Sequence, residues 1–118
     1  MTKDNFQDII EKNDMVIIDF WAEWCGPCKQ FGPVFEEAAS KFTDVVFAKV
    51  NTETEQELAG MFGIRSIPTI TFFREQIIIH NQAGALPGGA FENAIEEMKK
   101  LDMAEVKKAV AEQQAQQQ

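Results

Sequence analysis

The feature that most constrains this chain is its pair of cysteines, Cys25 and Cys28, the only two among 118 residues. Before the pair, residues 15–21 form an almost unbroken apolar run, which is typical of a strand buried on both faces of a sheet. After the pair, apolar residues recur at helical spacing from residue 31 to residue 42. The sequence therefore predicts that the Cys-Gly-Pro-Cys segment lies where a buried strand ends and a helix begins.

This position favours reactive cysteines over structural ones. A helix N-terminus presents unpaired N–H groups and the positive end of the helix dipole, and both stabilise a thiolate. We therefore expect Cys25 to be the exposed nucleophile and Cys28, one helical turn away, to attack a mixed disulfide formed at Cys25. The alternatives are two buried structural cysteines or half of a metal site shared between chains. The chain's single histidine, His80, cannot complete a four-ligand zinc site with them.

The rest of the chain has the pattern of an α/β fold. Helical spacing occurs at residues 4–13, 54–62 and 91–101, and strand-like runs occur at 45–50, 69–73 and 77–80. The alternation of helices and strands indicates parallel pairing, whereas the last two strands are close enough for an antiparallel hairpin. Their linker, Arg74-Glu75-Gln76, contains none of the usual turn residues.

Beyond Leu101 the sequence leaves two possibilities open. Asp102 and Glu105 have the spacing of a capping box, so either the last helix continues or a separate helix begins there. The glutamine-rich residues 113–118 have low complexity, and we expect this tail to be frayed.

Asp19 is the one charged residue in the apolar run 15–21. Burial should raise the pKa of its carboxyl, and its position before Cys25 would let it accept the proton that Cys28 loses before attacking. An aspartate whose oxygens accept backbone N–H groups at a strand end is equally consistent with the spacing. Lys49, near the end of the second strand, is a candidate partner for Asp19, although a lysine at a strand end is more often solvated.

Composition narrows the function further. Nineteen acidic residues against eleven basic ones give a formal net charge of -8, which repels nucleic-acid phosphates and anionic lipids. No apolar run approaches the ~20 residues that span a bilayer, and the first residues lack the pattern of a signal peptide. We therefore expect no nucleic-acid or membrane partner and a cytoplasmic location, where lasting structural disulfides are rare.

Three segments of the chain resemble the thioredoxin family. Residues 19–29, Asp-Phe-Trp-Ala-Glu-Trp-Cys-Gly-Pro-Cys-Lys, are similar to its active-site signature. Residues 62–69, Phe-Gly-Ile-Arg-Ser-Ile-Pro-Thr, are similar to its cis-proline loop, and Gly84-Ala85 matches the small-residue edge of its substrate groove. The resemblance implies a thioredoxin-like domain over residues 1–101, with residues 102–118 as a C-terminal helical extension.

The resemblance also implies a general protein disulfide reductase. Cys25 and Cys28 would form the redox-active disulfide, with Cys25 as the attacking thiol and Cys28 as the resolving thiol. Asp19 would accept the proton of Cys28, Lys49 would modulate Asp19, and Trp21 would pack under the site. No cofactor or metal would be bound, because electrons would come from NADPH through a flavin-dependent thioredoxin reductase. The groove for disulfide-containing protein substrates would be formed by Trp24, Gly26, Pro27, Ile67, Pro68 and Gly84. The peptide bond before Pro68 would be cis.

An alternative function with the same fold is not enzymatic. The domain would then be a binding or regulatory module whose redox state acts as a switch, with the C-terminal extension docking a partner.

The chain departs from the family pattern at both ends. Family members begin with a strand before the first helix, but residues 1–3 leave almost no room for one, so we expect a central mixed sheet of about four strands without its first edge strand. We hypothesise that the extension, or a second copy of the chain, covers the bare edge of segment 45–50. We expect a monomer, with a dimer through this edge as the alternative.

Overall fold

The structure, a computed structural model, describes residues 1–116 of the chain. These residues form five helices and four strands, which alternate along the chain up to the third strand and are followed by a fourth strand and two consecutive helices. The helices are α1 (Phe6–Lys12), α2 (Gly26–Lys41), α3 (Gln56–Met61), α4 (Gly88–Lys100) and α5 (Met103–Gln116), and the strands are β1 (Met15–Trp21), β2 (Val46–Asn51), β3 (Thr69–Arg74) and β4 (Ile77–Ala83).

The strands form one mixed sheet in the order β2-β1-β3-β4, which confirms the predicted fold class. Strand β1 pairs in parallel with β2 and antiparallel with β3, and its residues 16–20 are all buried. An inner strand with helices on both faces has no polar side, which is why the apolar run 15–21 shows no alternation.

Successive side chains of β1 enter two separate cores, because neighbouring strand residues point to opposite faces of the sheet. Ile17 packs with phenylalanines of α2 and α4, including Phe31 and Phe91. Ile18 packs on the other face with the core that includes Leu58 of α3, and α1 covers part of this core. Both faces of β1 are therefore packed against helices, and this packing fixes the C-terminal end of β1, which the two cysteines follow.

The β3–β4 hairpin exists despite its unusual turn. Glu75 and Gln76 both have left-handed backbone conformations, with φ of 49° and 70°. Two-residue hairpin turns favour this conformation, because its twist matches the strands, although glycine or asparagine usually supplies it. Here the turn is tied to the neighbouring loop by the Glu75 N–H, which donates to the Asp14 carbonyl at 2.7 Å.

A separate helix begins after Leu101, which resolves the question that the sequence left open. The Asp102 carboxylate accepts the backbone N–H groups of Ala104 at 3.0 Å and Glu105 at 3.4 Å, so it caps α5. The helix continues through Gln116, and the final two residues of the predicted frayed tail lie outside the described residues.

The prediction that the extension covers the edge of β2 is wrong. Within residues 1–116 no strand precedes α1, and β2 is the edge strand, as expected. Helix α5 instead lies at the opposite edge, where Lys107 pairs with Glu75 at 2.7 Å and Val106 and Val110 line a cleft against the start of β4. The edge of β2 is contacted by the chain's own start, because the Met1 amino group donates to the Lys49 carbonyl at 3.0 Å.

The physical reason for this placement is chain connectivity. The guanidinium of Arg74, at the end of β3, donates through Nη1 to the carbonyls of Met98, Lys99 and Leu101 at 2.9 to 3.0 Å. This fixes the end of α4 beside the β3–β4 turn. Only two residues then separate α4 from α5, and two residues span at most about 7 Å. Helix α5 must therefore start beside β4, with the buried Met103 as its anchor.

None of the helices within residues 1–116 combines the length and the hydropathy that crossing a membrane would need.

Candidate active site

The two cysteines lie where β1 gives way to α2, as the sequence predicts. Cys25 is the N-cap residue of α2, and its Sγ accepts the backbone N–H of Cys28 at 3.2 Å. Gly26 and Pro27 form the exposed first turn, where proline's missing N–H leaves no bond unmade. Cys25 and Cys28 form a disulfide with their Cα atoms 5.2 Å apart, a normal spacing for such a bond.

The disulfide is more enclosed than the sequence suggested. We expected an exposed Cys25, but its exposed fraction is 4%, against 5% for Cys28. Both residues cluster with the buried Ala22, and Trp21 and Ile67 pack against them. The indole of Trp21 thus lies beside the site, as the family resemblance implies, and the surrounding side chains restrict the approach of a partner.

The loop before β3 passes directly beside the disulfide. The Ile67–Pro68 peptide bond is cis, as the resemblance implies, and the Ile67 carbonyl oxygen lies 3.7 Å from Cys25 Sγ. The Gly84 N–H donates to the Pro68 carbonyl at 2.8 Å, and Gly84 has a φ of 93°, which favours glycine. The structure therefore brings Cys25, Ile67, Pro68 and Gly84 together, although they are far apart in the sequence.

Trp24 forms an exposed wall next to Cys25, with 69% of its surface accessible. Its indole Nε1 donates to a Glu53 carboxylate oxygen at 2.7 Å. Glu53 could not be predicted as part of the site from the sequence, because an acidic residue in the loop after β2 has no local pattern that distinguishes it. Beyond Trp24 a cavity of about 360 Å³ extends to α3 and to the loop before Pro68.

Asp19 and Lys49 face each other on neighbouring strands, since the register of β1 and β2 pairs these two residues. Asp19 is 1% exposed, and its Oδ1 has no hydrogen-bond partner among residues 1–116. Burial raises the pKa of Asp19 to about 6, and the positive charge of Lys49 acts in the opposite direction. In the described part of the chain, backbone N–H groups therefore do not bind Oδ1 of Asp19, as the alternative interpretation of this residue would require.

The Lys49 side chain is exposed, and its ammonium also lies over aromatic rings. Its Nζ is 5.7 Å from the Trp21 ring centroid and 5.9 Å from that of Phe35, distances typical of cation–π contacts. These contacts keep a positive charge near the strand that carries Asp19.

The whole arrangement suits thiol–disulfide exchange. The N-terminus of α2 favours a thiolate at Cys25, the second cysteine is already within bonding distance, and a buried carboxyl of raised pKa lies on the preceding strand. A carboxyl with a pKa near neutrality can both accept and release a proton under physiological conditions.

Comparisons with known proteins agree with this chemistry. The protein-family model for thioredoxin matches residues 1–99. A putative thioredoxin 2 of Streptomyces coelicolor is 59% identical over 116 residues, covering 98% of this chain and 87% of the relative. The thioredoxin of Mycoplasma pneumoniae is 46% identical over 80 residues, covering 68% of this chain and 78% of the relative.

Solved structures with the same fold include thioredoxins from distant organisms. A Plasmodium falciparum thioredoxin superposes with a TM-score of 0.76 at 35% identity, covering 81% of this chain and 93% of the other. A mutant thioredoxin from Halobacterium salinarum superposes with a TM-score of 0.79 at 33% identity, covering 86% and 88%. The chain therefore belongs to the thioredoxin family, and it is a thiol–disulfide oxidoreductase with Cys25 and Cys28 as its redox-active pair.

Proposed function

We propose that this protein is a general protein disulfide reductase in which Cys25 attacks and Cys28 resolves. The observation that carries the assignment is the position of Cys25 as the N-cap of α2, with its Sγ accepting the Cys28 N–H at 3.2 Å. A sulfur in this position is stabilised as a thiolate by the helix N-terminus. Cys28 lacks that advantage, because it lies inside the first turn.

The reaction starts from the dithiol form. The Cys25 thiolate attacks one sulfur of a substrate disulfide, so a Cys25–substrate disulfide forms while the substrate's own S–S bond breaks. The released substrate sulfur leaves as a thiolate and takes a proton from solvent. Cys28 then loses its proton and attacks Cys25 Sγ, which forms the Cys25–Cys28 disulfide and releases the second substrate thiol. Two electrons pass from the protein to the substrate.

Asp19 is the proposed acceptor of the Cys28 proton, with Lys49 modulating its charge. Support comes from the burial of Asp19 and its pKa of about 6, which lies close to the operating pH. We also assign the substrate groove to Trp24, Gly26, Pro27, Ile67, Pro68 and Gly84.

The electrons are returned from outside the protein. Family membership implies disulfide-containing substrates and a reductase in general, and we assign the recycling step to a flavin-dependent thioredoxin reductase that uses NADPH. On this proposal the protein carries no cofactor of its own, because its two thiols hold both electrons. Because a reductase of this kind works in a reducing compartment, we place the protein in the cytoplasm. We also propose that it acts as a monomer.

We further divide the chain into a thioredoxin-like domain, residues 1–101, and a helical extension, residues 102–118. The helix break at Leu101 and the cap at Asp102 support this boundary.

The test is insulin disulfide reduction coupled to NADPH through a thioredoxin reductase. The wild-type protein should accelerate NADPH oxidation in the presence of insulin, and Cys25→Ser should abolish the acceleration. Cys28→Ser should instead accumulate a mixed disulfide with insulin, seen as a covalent adduct that a reductant releases. Absence of turnover in the wild type, together with absence of the adduct, would reject the proposed function.

A further inference from the structure

The cavity beside Trp24 opens directly next to the reactive disulfide. Its volume is about 360 Å³, and its lining includes Ile67, whose carbonyl oxygen is 3.7 Å from Cys25 Sγ. Extended chain advances about 3.3 Å per residue, so a substrate residue within two positions of the target cysteine can reach this cavity. The cavity walls include Trp24, Gln56, Gly60, Arg65, Ser66 and Ile67.

Arg65 gives this cavity a positive charge that is available to a ligand. The side chain is exposed and forms no ion pair within residues 1–116, whereas the other arginine, Arg74, is bound to the end of α4. The carboxylate of Glu53 already accepts the Trp24 indole N–H. In a chain with a net charge of -8, an unpaired guanidinium in the cavity that Ile67 shares with the disulfide site is a specific local feature.

We propose that this cavity is a specificity subsite that accepts an acidic side chain located within two residues of the substrate's target cysteine. The Arg65 guanidinium pairs with that carboxylate while the Trp24 ring covers the stem of the side chain. The inference rests on the proposed reductase function and adds a substrate class to it. Because the pair is partly exposed, it changes the relative rates of substrates and does not decide whether reduction occurs.

The experiment compares three disulfide-bonded peptides that differ only in the residue next to the cysteine, which is Glu, Gln or Lys. The measured quantity is kcat/KM at low ionic strength for the wild type, Arg65→Glu, Arg65→Lys and Lys100→Glu. Lys100 is the matched control, because it is also exposed and forms no ion pair within the described part of the chain, and it lies at the end of α4 that Arg74 holds. Both glutamate variants change the net charge equally.

We expect Arg65→Glu to lower the ratio of Glu-peptide to Lys-peptide kcat/KM about fivefold, because one attraction becomes a repulsion. Arg65→Lys should keep most of the ratio, and Lys100→Glu should leave it within about twofold of wild type. Circular dichroism establishes that each variant is folded, and the ratio within one variant is independent of its overall activity.

Equal changes of the ratio in Arg65→Glu and Lys100→Glu would overturn the subsite, because long-range charge alone would then explain the preference. A wild type that prefers the Lys peptide to the same extent as Arg65→Glu would overturn it too. If the wild type reduces none of the three peptides, the proposed function fails and the subsite with it, and this result is distinct from an altered ratio.

Discussion

The apolar surroundings of Asp19 in the sequence are enough to predict an unusual pKa for its carboxyl. Its position inside the run 15–21 predicts a raised pKa, and burial raises that pKa to about 6. The sequence indicated Lys49 as the partner of Asp19 less clearly, because the two residues come to lie opposite each other only through the register of β1 and β2. A single buried carboxyl therefore links the stability of the protein to its chemistry.

Asp19→Asn should stabilise the protein at neutral pH. The folded carboxyl has a pKa of about 6, against about 3.9 in an unfolded chain. Between these values the folded state binds more protons, so stability falls as pH rises from about 4 to about 6 and stays lower above that. The difference corresponds to about 3 kcal/mol. The variant should raise the free energy of unfolding by up to about 3 kcal/mol at pH 7.5 and by much less at pH 4, as urea denaturation measures.

The matched control for this prediction is Asp4→Asn, since Asp4 is exposed and forms no ion pair within residues 1–116. It should change the free energy of unfolding by less than about 0.5 kcal/mol at either pH. An Asp19→Asn gain of the same size at pH 4 and pH 7.5 would show that packing, rather than ionisation, causes it.

Glu53→Ala should release the Trp24 indole. The Nε1–H now donates to a carboxylate at 2.7 Å, a charge-assisted bond that holds an otherwise exposed ring in place. Without the acceptor, we expect hydrogen exchange of the Trp24 indole N–H to accelerate severalfold in NMR spectra. The Trp21 indole N–H serves as the internal reference. Unchanged exchange at Trp24 would mean that Glu53 does not hold the ring.

At the scale of elements, the β3–β4 turn is the place where local sequence preference and structure disagree. Glu75 and Gln76 occupy left-handed conformations that non-glycine residues adopt at a cost of about 1 to 2 kcal/mol each. The hairpin forms because β3 and β4 are paired along their length and because the Glu75 N–H and carboxylate are both bound, to Asp14 and Lys107. Tertiary contacts thus override the turn preference.

Gln76→Gly should therefore stabilise the fold. Relief of the backbone conformation exceeds the extra entropy of glycine in the unfolded chain, so we expect a gain of about 0.5 to 1 kcal/mol in the free energy of unfolding. Gln7→Gly in α1 is the control, because there a glycine should cost about 1 kcal/mol. A loss of stability in Gln76→Gly would contradict the role assigned to this turn.

At the scale of the whole molecule, the active site and helix α5 lie at opposite ends of the sheet. The active site follows the end of β1, whereas α5 lies beside the turn that follows Arg74, and Arg74 pairs with Met15 at the start of β1. The extension is therefore at the opposite end of the sheet from Cys25. This separation predicts that the extension supports the fold without taking part in catalysis.

Truncation after Leu101 tests that prediction. The shortened chain loses the buried Met103 and the Lys107–Glu75 pair, so we expect the free energy of unfolding to fall by about 1 to 3 kcal/mol. Insulin reduction by the folded, truncated protein should stay within about twofold of wild type. Lys107→Gln, which removes only the exposed ion pair, should cost less than about 1 kcal/mol. A large fall in turnover of the folded truncated protein would place the extension in the functional machinery.

Local patterns explain which predictions succeeded. The bounds of β1 and the start of α2 could be read from residues 15–28, because burial on both faces and helix capping leave marks within a few residues. The contact between Trp24 and Glu53 could not be predicted, because it joins residues 29 positions apart in a loop without a motif. The location of α5 was predicted wrongly for the same reason. It depends on Arg74 and Glu75, which lie far from the extension in the sequence.

The sequence by itself determined the chemistry of this protein: two cysteines at a helix start after a buried strand, and a carboxyl inside that strand. Each of these depends on neighbouring residues alone. The tertiary structure decided what comes near them: Lys49 opposite Asp19, the Ile67 carbonyl beside Cys25, Glu53 on Trp24 and α5 at the β4 edge. These contacts join distant parts of the chain, and their geometry is set by strand register and connection length, which the residues involved do not encode locally.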